Sequence, residues 1–393
     1  MKRILFVEDD EVLRTLYSHM LSDEKDQWEV STAGGGETAV NLLRESAFDV
    51  VVSDMQMPGM SGIELLTEVR NLHPQTSRII ISGSNDQAVA ADSLNCTHLF
   101  IPKPFGVKTL KATLHRITSL DAYLKDDKLR GLAGKMRELP SFPMVYMEII
   151  QELDSPDASV EKIASIISKD PAITTKILQV ANSVAFGLRR TVSDPMEAVQ
   201  QLGLLTVRSL ALSAQVFSSF KPARLKHFSP DTLWSHLMKC GELARRIMRH
   251  ERADRTEAED AFTAGMLHDI GALMLADSLP GEFDKALATA ASEHISLPEA
   301  ELRIFGATHT GLAAYLFGLW GLPASIVEAA AFHHAPQTSD LKKFSALTAV
   351  HVANAICDPT ESGNLDFSYL EQIGKADRVN AWREVAAEME TQK

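Results

Sequence analysis

At 393 residues the chain is too long for one ordinary core, and its 45% hydrophobic and 23% charged content excludes a disordered protein. A formal net charge of −13 and a pI near 5.5 argue against nucleic acid as the main partner, because gripping a phosphate backbone takes a basic face. No apolar run approaches the roughly 20 residues that span a bilayer, and the N-terminus lacks the pattern of a signal peptide, so a cytoplasmic protein without a membrane partner is expected.

From Met1 to about Leu120 strand-like and helix-like segments alternate. KRILFV reads as a strand, followed by Val12, Leu13, Leu16, Tyr17, Met20 and Leu21 at helical spacing. WEVSTA is a second strand, with Ala39, Val40, Leu42 and Leu43 in the helix behind it. FDVVVSD is a continuous β-branched run, the mark of a strand buried on both faces. Ile63, Leu65, Leu66 and Val69 give a third helix. RIIIS, HLFIPKPF and a last helix near Val107–Leu120 complete the series. Repeated strand–helix units predict a doubly wound, five-stranded parallel sheet of α/β class, with polar groups at the carboxyl ends of the strands forming the site.

Those ends carry Glu8 and Asp9 after the first strand, Asp54 after the third, Ser82 after the fourth and Lys103 after the fifth. A lone EDD is most often a solvated turn that caps a helix. Carboxylates at neighbouring strand ends repel one another, however, unless something offsets them. A hard cation such as Mg²⁺ would do so, since it takes oxygen ligands and keeps several waters. The lysine and the hydroxyl beside it make a place for a phosphoryl group, and a neighbouring carboxylate could act as nucleophile and form an aspartyl phosphate. VEDDE, SDMQMPGMSG, ISGS and IPKPF, in this order, resemble the markers of the response-regulator receiver domain, with its flavodoxin-like fold. The resemblance covers residues 1–120. It implies that a partner histidine kinase phosphorylates Asp54. It assigns Glu8, Asp9, Asp54 and the backbone carbonyl of Gln56 to Mg²⁺, Ser82 and Lys103 to the phosphoryl group, and Phe100 to the switch position. It also implies a cis Lys103–Pro104 peptide.

Residues 121–138 read as a helical linker. Leu110, Leu114, Ile117 and Leu124 lie at a coiled-coil-like spacing that admits a homodimer, although one stripe packed on its own domain explains them as well. Gly131 and Gly134 mark a break.

From 139 to 358 helical periodicity dominates and predicts an all-α domain. Cys96, Cys240 and Cys357 are widely spaced and none sits in a CxxC pair, so buried thiols are expected rather than disulfides or a cysteine zinc site. The chemistry candidates are His236, His268 with Asp269, His309, His333 with His334, and His351. Imidazoles and a carboxylate from different helices can ligate Fe, Mn or Zn. LPSFPMVYMEIIQELD, KDPAITTKILQVANSVAFG, AVQQLGL and AGMLHDIG resemble the HDOD domain, a relative of the HD phosphohydrolases, from about residue 137 to at least 335. The wider superfamily binds metal at positions that fall on His236, His268, Asp269 and Asn354. Asn354 departs from the pattern, because it lacks the negative charge of the superfamily's aspartate. The HH pair, moreover, is followed by APQT with no GYP motif. The resemblance therefore implies a phosphorylation-controlled output that binds a protein or nucleotide signal, with metal-dependent phosphohydrolysis at the HD site as the alternative. His309 and the HH pair read as relics, helix-packing residues or ligands of a different pocket. The tail, 359–393, reads as helical through Phe367, Leu370, Ile373 and Trp382 and frayed from Glu388.

Overall fold

The computed structural model describes residues 1–24, 26–74, 76–82, 96–123, 128–129, 132–133, 144–153, 155, 157–182, 192–220, 229–357 and 365–391. The chain divides into two compact units, Met1–Phe142 with Tyr315–Leu322, and Pro143–Ala314 with Pro323–Lys393.

In the first unit the strands are β1 (Lys2–Val7), β2 (Trp28–Ala33), β3 (Val50–Asp54), β4 (Ser77–Ser82) and β5 (Leu99–Pro102). Among the described residues they form one sheet in the order β2-β1-β3-β4-β5, and every pairing is parallel. Ile4, Leu5, Val51, Val52, Ile79 and Ile80 are fully buried, as β-branched and apolar runs must be when helices cover both faces of a sheet. The register pairs Val7 with Ser53, Asp54 with Ile81, and Ser82 with Pro102. Glu8, Asp54, Ser82 and Lys103 therefore meet at one edge. That edge includes the crevice between β1 and β3, where the strand order reverses and such sheets bind ligands.

The helices of this unit are α1 (Glu11–Met20), α2 (Gly36–Glu45), α3 (Gly62–Leu72) and α4 (Val107–Tyr123). On α1 the apolar spacing is only partly used. Tyr17 is buried, while Val12 is 75% and Leu16 44% exposed. On α4, Leu110, Leu114 and Ile117 are buried within the chain, and Lys111 and His115 reach Asp23 and Glu24, so this stripe faces its own unit. Leu124, Gly131 and Gly134 lie outside the described residues.

The second unit is helical: α5 (Met144–Leu153), α6 (Val160–Ser168), α7 (Pro171–Ala181), α8 (Pro195–Leu202), α9 (Leu204–Ser218), α10 (Pro230–His250), α11 (Arg255–Leu267) and α12 (Ile270–Ser278), then α13 (Pro280–Glu293), α14 (Leu297–Phe305), α15 (His309–Trp320), whose later residues belong to the first unit, α16 (Ala324–Phe332), α17 (Ala346–Cys357), α18 (Phe367–Gln372) and α19 (Val379–Thr391). Proline or a side-chain cap starts most of them. Asp170 accepts from Ala172 and Ile173 ahead of α7, and a capping box at Asp254 and Glu257 opens α11.

The tail is held by one buried carboxylate. Glu251, just past α10, accepts from Lys375 Nζ at 2.5 Å, Arg378 Nε at 2.8 Å and Trp382 Nε1 at 3.1 Å. Trp382 is fully buried and α19 runs on to Thr391, past the frayed end that the sequence pattern suggests at Glu388. Burial alone would raise the Glu251 pKa, but the three donors outweigh it and hold it down to about 2 from an ordinary 4.5. Because the folded value lies below the unfolded one, this contribution is complete above about pH 4.5 and fades as the pH falls towards 2. Its ceiling is about 3 kcal/mol, reduced by solvent screening at the partly exposed Lys375 and Arg378. Glu251→Ala should lower Tm at pH 7 and flatten the acid limb of the stability curve between pH 4.5 and 2. Thermal melts across pH measure both effects.

Candidate functional site

At the strand ends of the first unit the acidic run EDDE divides its labour. Asp10 caps α1, accepting from Val12 and Leu13, as the bland reading of such a run has it. Glu8 is buried and, with Asp9 and Asp54, offers one carboxylate oxygen each to a group in which these atoms lie within 4.8 Å of one another. Arg14 donates to the carbonyls of Glu8 at 2.8 Å and Asp9 at 3.1 Å and pins the turn. Lys103 Nζ sits 2.5 Å from Asp54 Oδ1 and 3.6 Å from Glu8 Oε2, and the Lys103–Pro104 peptide that follows is cis. Burial and then the nearby Asp54 push the Glu8 pKa up. Glu8 Oε2 is buried without a hydrogen bond, so the cluster has room for a divalent cation. Gln56 lies two residues past the end of β3. Ser82 ends β4 and Phe100 lies in β5, and their side chains are outside the described residues.

The second site lies in the helical unit and is built around Asp269. A close helix approach assembles it. A Cβ on Gly265 of α11 would come within 2.6 Å of Gly241 Cα on α10, so these helices touch backbone to backbone beside His236, Cys240 and His268. A Cβ on Gly271 of α12 would come within 2.0 Å of the His309 carbonyl oxygen, which brings Asp269 against the start of α15.

The result is a carboxylate facing imidazoles from several helices. Asp269 Oδ2 lies 3.3 Å from His268 Nε2 and 3.9 Å from His236 Nε2, while Oδ1 lies 3.4 Å from His309 Nε2 and 3.3 Å from His333 Nε2. The other ring nitrogens are occupied. His268 Nδ1 meets the Gly265 carbonyl at 2.9 Å, His333 Nδ1 the Ala330 carbonyl at 3.0 Å, and His309 Nδ1 the buried Glu301 at 2.8 Å. These contacts hold the rings with Nε2 directed at Asp269, the orientation that an acceptor on the other nitrogen gives metal-bound histidines. Asp269 Oδ1, His309 Nε2 and His333 Nε2 are buried and make no hydrogen bond.

The protonation states suit a cation. Burial would raise the Asp269 pKa, but His268 and the other imidazoles outweigh it and hold it well below the carboxylate range. Burial drives His333 down to about 4 and His334 well below its ordinary value, so both are neutral and available as donors. At His309 burial opposes protonation, yet Glu301 and Asp269 push its pKa up to about 10. The two carboxylates thus call for positive charge between them, supplied by a proton or by a metal. An open cavity of about 500 Å³, lined in part by Glu299, Leu302, His333, His334, Asn354 and Asp366, gives access from one side.

The structure therefore brings His236, His268 and Asp269 together. It also places His309, His333 and His334 in this pocket rather than in a different one, since His309 and His333 share one Asp269 oxygen and His334 stands with them in one group. Asn354 lies towards the other end, its Oδ1 4.0 Å from Cys240 Sγ. His351 is structural. Its Nδ1 meets the His333 carbonyl at 2.7 Å and its Nε2 accepts from the Asp366 amide at 3.0 Å. Glu301 escapes the sequence reading, because a single glutamate in PEAELRIF looks like any solvated helix residue; it is fully buried.

A family model for the HDOD domain matches residues 139–336, half of the chain, and one for the response regulator receiver domain matches residues 4–115. The chain belongs to the HDOD family. A response regulator receiver domain precedes the HDOD domain in the chain. An HDOD domain protein from Geobacter sulfurreducens superposes with a TM-score of 0.52 at 22% identity, covering 69% of this chain and 99% of that one, which shows a shared fold. Among curated proteins, an uncharacterized protein of Treponema pallidum is 25% identical over 207 residues, 52% of this chain and 39% of that protein. The Regulatory protein AtoC of Escherichia coli is 30% identical over 125 residues, 32% of this chain and 27% of its own length. The chain thus spans well under half the length of these two relatives. No helix among the described residues is long and apolar enough to cross a membrane.

Proposed function

We propose that a histidine kinase phosphorylates Asp54 and that this phosphorylation controls a metal-bearing HDOD domain in the second half of the chain. In this reading the receiver takes residues 1–120, the linker 121–138, the HDOD domain 139–358 and the helical tail 359–393. Mg²⁺ is held by Glu8, Asp9, Asp54 and the Gln56 carbonyl. Lys103, already on Asp54, and Ser82 receive the phosphoryl oxygens, and Phe100 reports the switch. A small acyl phosphate donor with Mg²⁺ should give one acid-stable, base-labile phosphoryl group on the wild-type chain and none on Asp54→Asn, read by mobility shift on phosphate-affinity gels. Unchanged labelling of the variant would place the acceptor elsewhere.

The observation that carries the output reading is the orientation of the histidines: His268, His309 and His333 each spend Nδ1 on a fixed acceptor and direct Nε2 at Asp269. Fe, Mn or Zn suits such a set. When bound, the metal supplies a Lewis-acidic position beside the cavity at His333 and His334. The ligand we favour is a nucleotide signal or an acidic protein segment that presents its phosphate or carboxylate there. Phosphoester hydrolysis is the second reading, favoured by the way the two oxygens of Asp269 face separate histidine pairs, a layout suited to two cations. A phosphoester screen of the metal-loaded full chain separates turnover from binding.

A further inference from the structure

We propose that Cys240 is a metal ligand in the output domain, completing with His236, His268 and Asp269 a zinc site whose thiolate replaces the charge missing at Asn354. This rests on the metal reading of the Asp269 site. Asn354 offers a cation on that side a neutral oxygen, so Asp269 supplies one negative charge there and a second must come from another group. Cys240 stands in that corner: its Sγ is 4.0 Å from Asn354 Oδ1 and 3.4 Å from His236 Nε2. The side chains of His236, Cys240 and His268 each offer a donor atom, and these atoms all lie within 4.8 Å of one another.

Three of the donor pairs stand close to the spacing that one ion needs. With zinc bonds of about 2.0–2.3 Å, the ligand atoms of a tetrahedral site lie about 3.3–3.8 Å apart. Cys240 Sγ to His236 Nε2 is 3.4 Å, His268 Nε2 to Asp269 Oδ2 is 3.3 Å, and His236 Nε2 to Asp269 Oδ2 is 3.9 Å. Cys240 is fully buried and cannot reach solvent, yet its sulfur faces two imidazoles rather than apolar neighbours alone. A coordinated thiol gives up its proton, so the thiolate and the Asp269 carboxylate together balance a divalent cation. The choice of metal follows from the donors. Two nitrogens, one sulfur and one oxygen from the protein suit zinc in a closed tetrahedron, whereas the nitrogen and oxygen side at His309, His333 and His334 keeps the position that opens to the cavity.

The test is zinc K-edge X-ray absorption on the full-length chain loaded with zinc, with metal stoichiometry measured alongside. A sulfur scatterer at about 2.3 Å supports the proposal. Cys240→Ser should remove that signal and weaken zinc retention by at least about a hundredfold, beyond what loss of a supporting residue costs. Adding Asn354→Asp to Cys240→Ser should recover zinc with nitrogen and oxygen scatterers only. Zinc held by the wild type with no sulfur in its shell overturns the proposal and leaves Cys240 as a thiol hydrogen-bonded to His236, one helical turn away. A wild type that retains no zinc overturns the proposal together with the metal reading beneath it. The absorption measurement on the wild type decides the question even where a variant fails to fold.

Discussion

Asp269→Asn should empty the helical site of metal, lowering stoichiometric retention by at least about tenfold. Asparagine keeps the shape and one acceptor oxygen but removes the charge towards which four imidazole nitrogens are directed at 3.3–3.9 Å. Because Oδ1 and Oδ2 face different histidine pairs, one substitution acts on both sides of the centre. The buried Glu301 remains paired with His309 Nδ1, so His309 can still hold a proton in place of a metal, and the fold need not collapse. The measurement is elemental analysis of purified wild type and variant from metal-replete growth, with Glu299→Gln as control. Glu299 lines the cavity but belongs to none of the ligand groups and should leave the metal content unchanged. Equal, stoichiometric metal in wild type and Asp269→Asn would move the metal away from Asp269, and metal absent from both would make the histidine cluster a packing feature.

How much of this was legible in the sequence differs between the two halves for a physical reason. In the receiver the site residues sit at strand ends of a parallel sheet, where topology alone brings separated positions together. Reading FDVVVSD, RIIIS and HLFIPKPF as parallel strands of one sheet is therefore enough to bring Asp54 and Lys103 to the same carboxyl edge. The acidic run needed the structure to be divided, since only coordinates show Asp10 turned to the α1 amides and Glu8 turned to Asp54. In the helical half, periodicity reveals which residues are buried but not which helices meet. His309, His333 and His334 were visible as histidines on apolar helices, and nothing in their spacing connected them to Asp269. Glu301 and Cys240 were harder still, because a buried glutamate or thiol declares its role only through the side chain opposite.

The glycines around the HD pair in AGMLHDIGAL position the helical site through close backbone approaches, and Gly271→Ala is the second large effect expected. Gly265 lies three residues before His268 and Gly271 two after Asp269, a spacing that packing against α10 and α15 explains. A Cβ at position 271 would lie 2.0 Å from the His309 carbonyl oxygen and 3.1 Å from the Ala313 amide nitrogen. Both are backbone atoms inside a helix and cannot swing aside as a flexible side-chain end can, so α15 must shift bodily. Overpacking of this kind costs about 1–3 kcal/mol, which for a domain of this size lowers Tm by roughly 3–10 °C. The shift also carries His309 away from Asp269, so metal retention should fall with stability, and added zinc should raise the Tm of the wild type more than that of the variant. Gly281→Ala is the control. Its Cβ would meet no atom within 4 Å, and it should leave both Tm and metal content close to wild type. If Gly271→Ala lowered Tm while metal affinity stayed intact, the close approach of α12 and α15 would be a matter of packing alone, and the site would have to owe its assembly to the contact between Gly241 and Gly265.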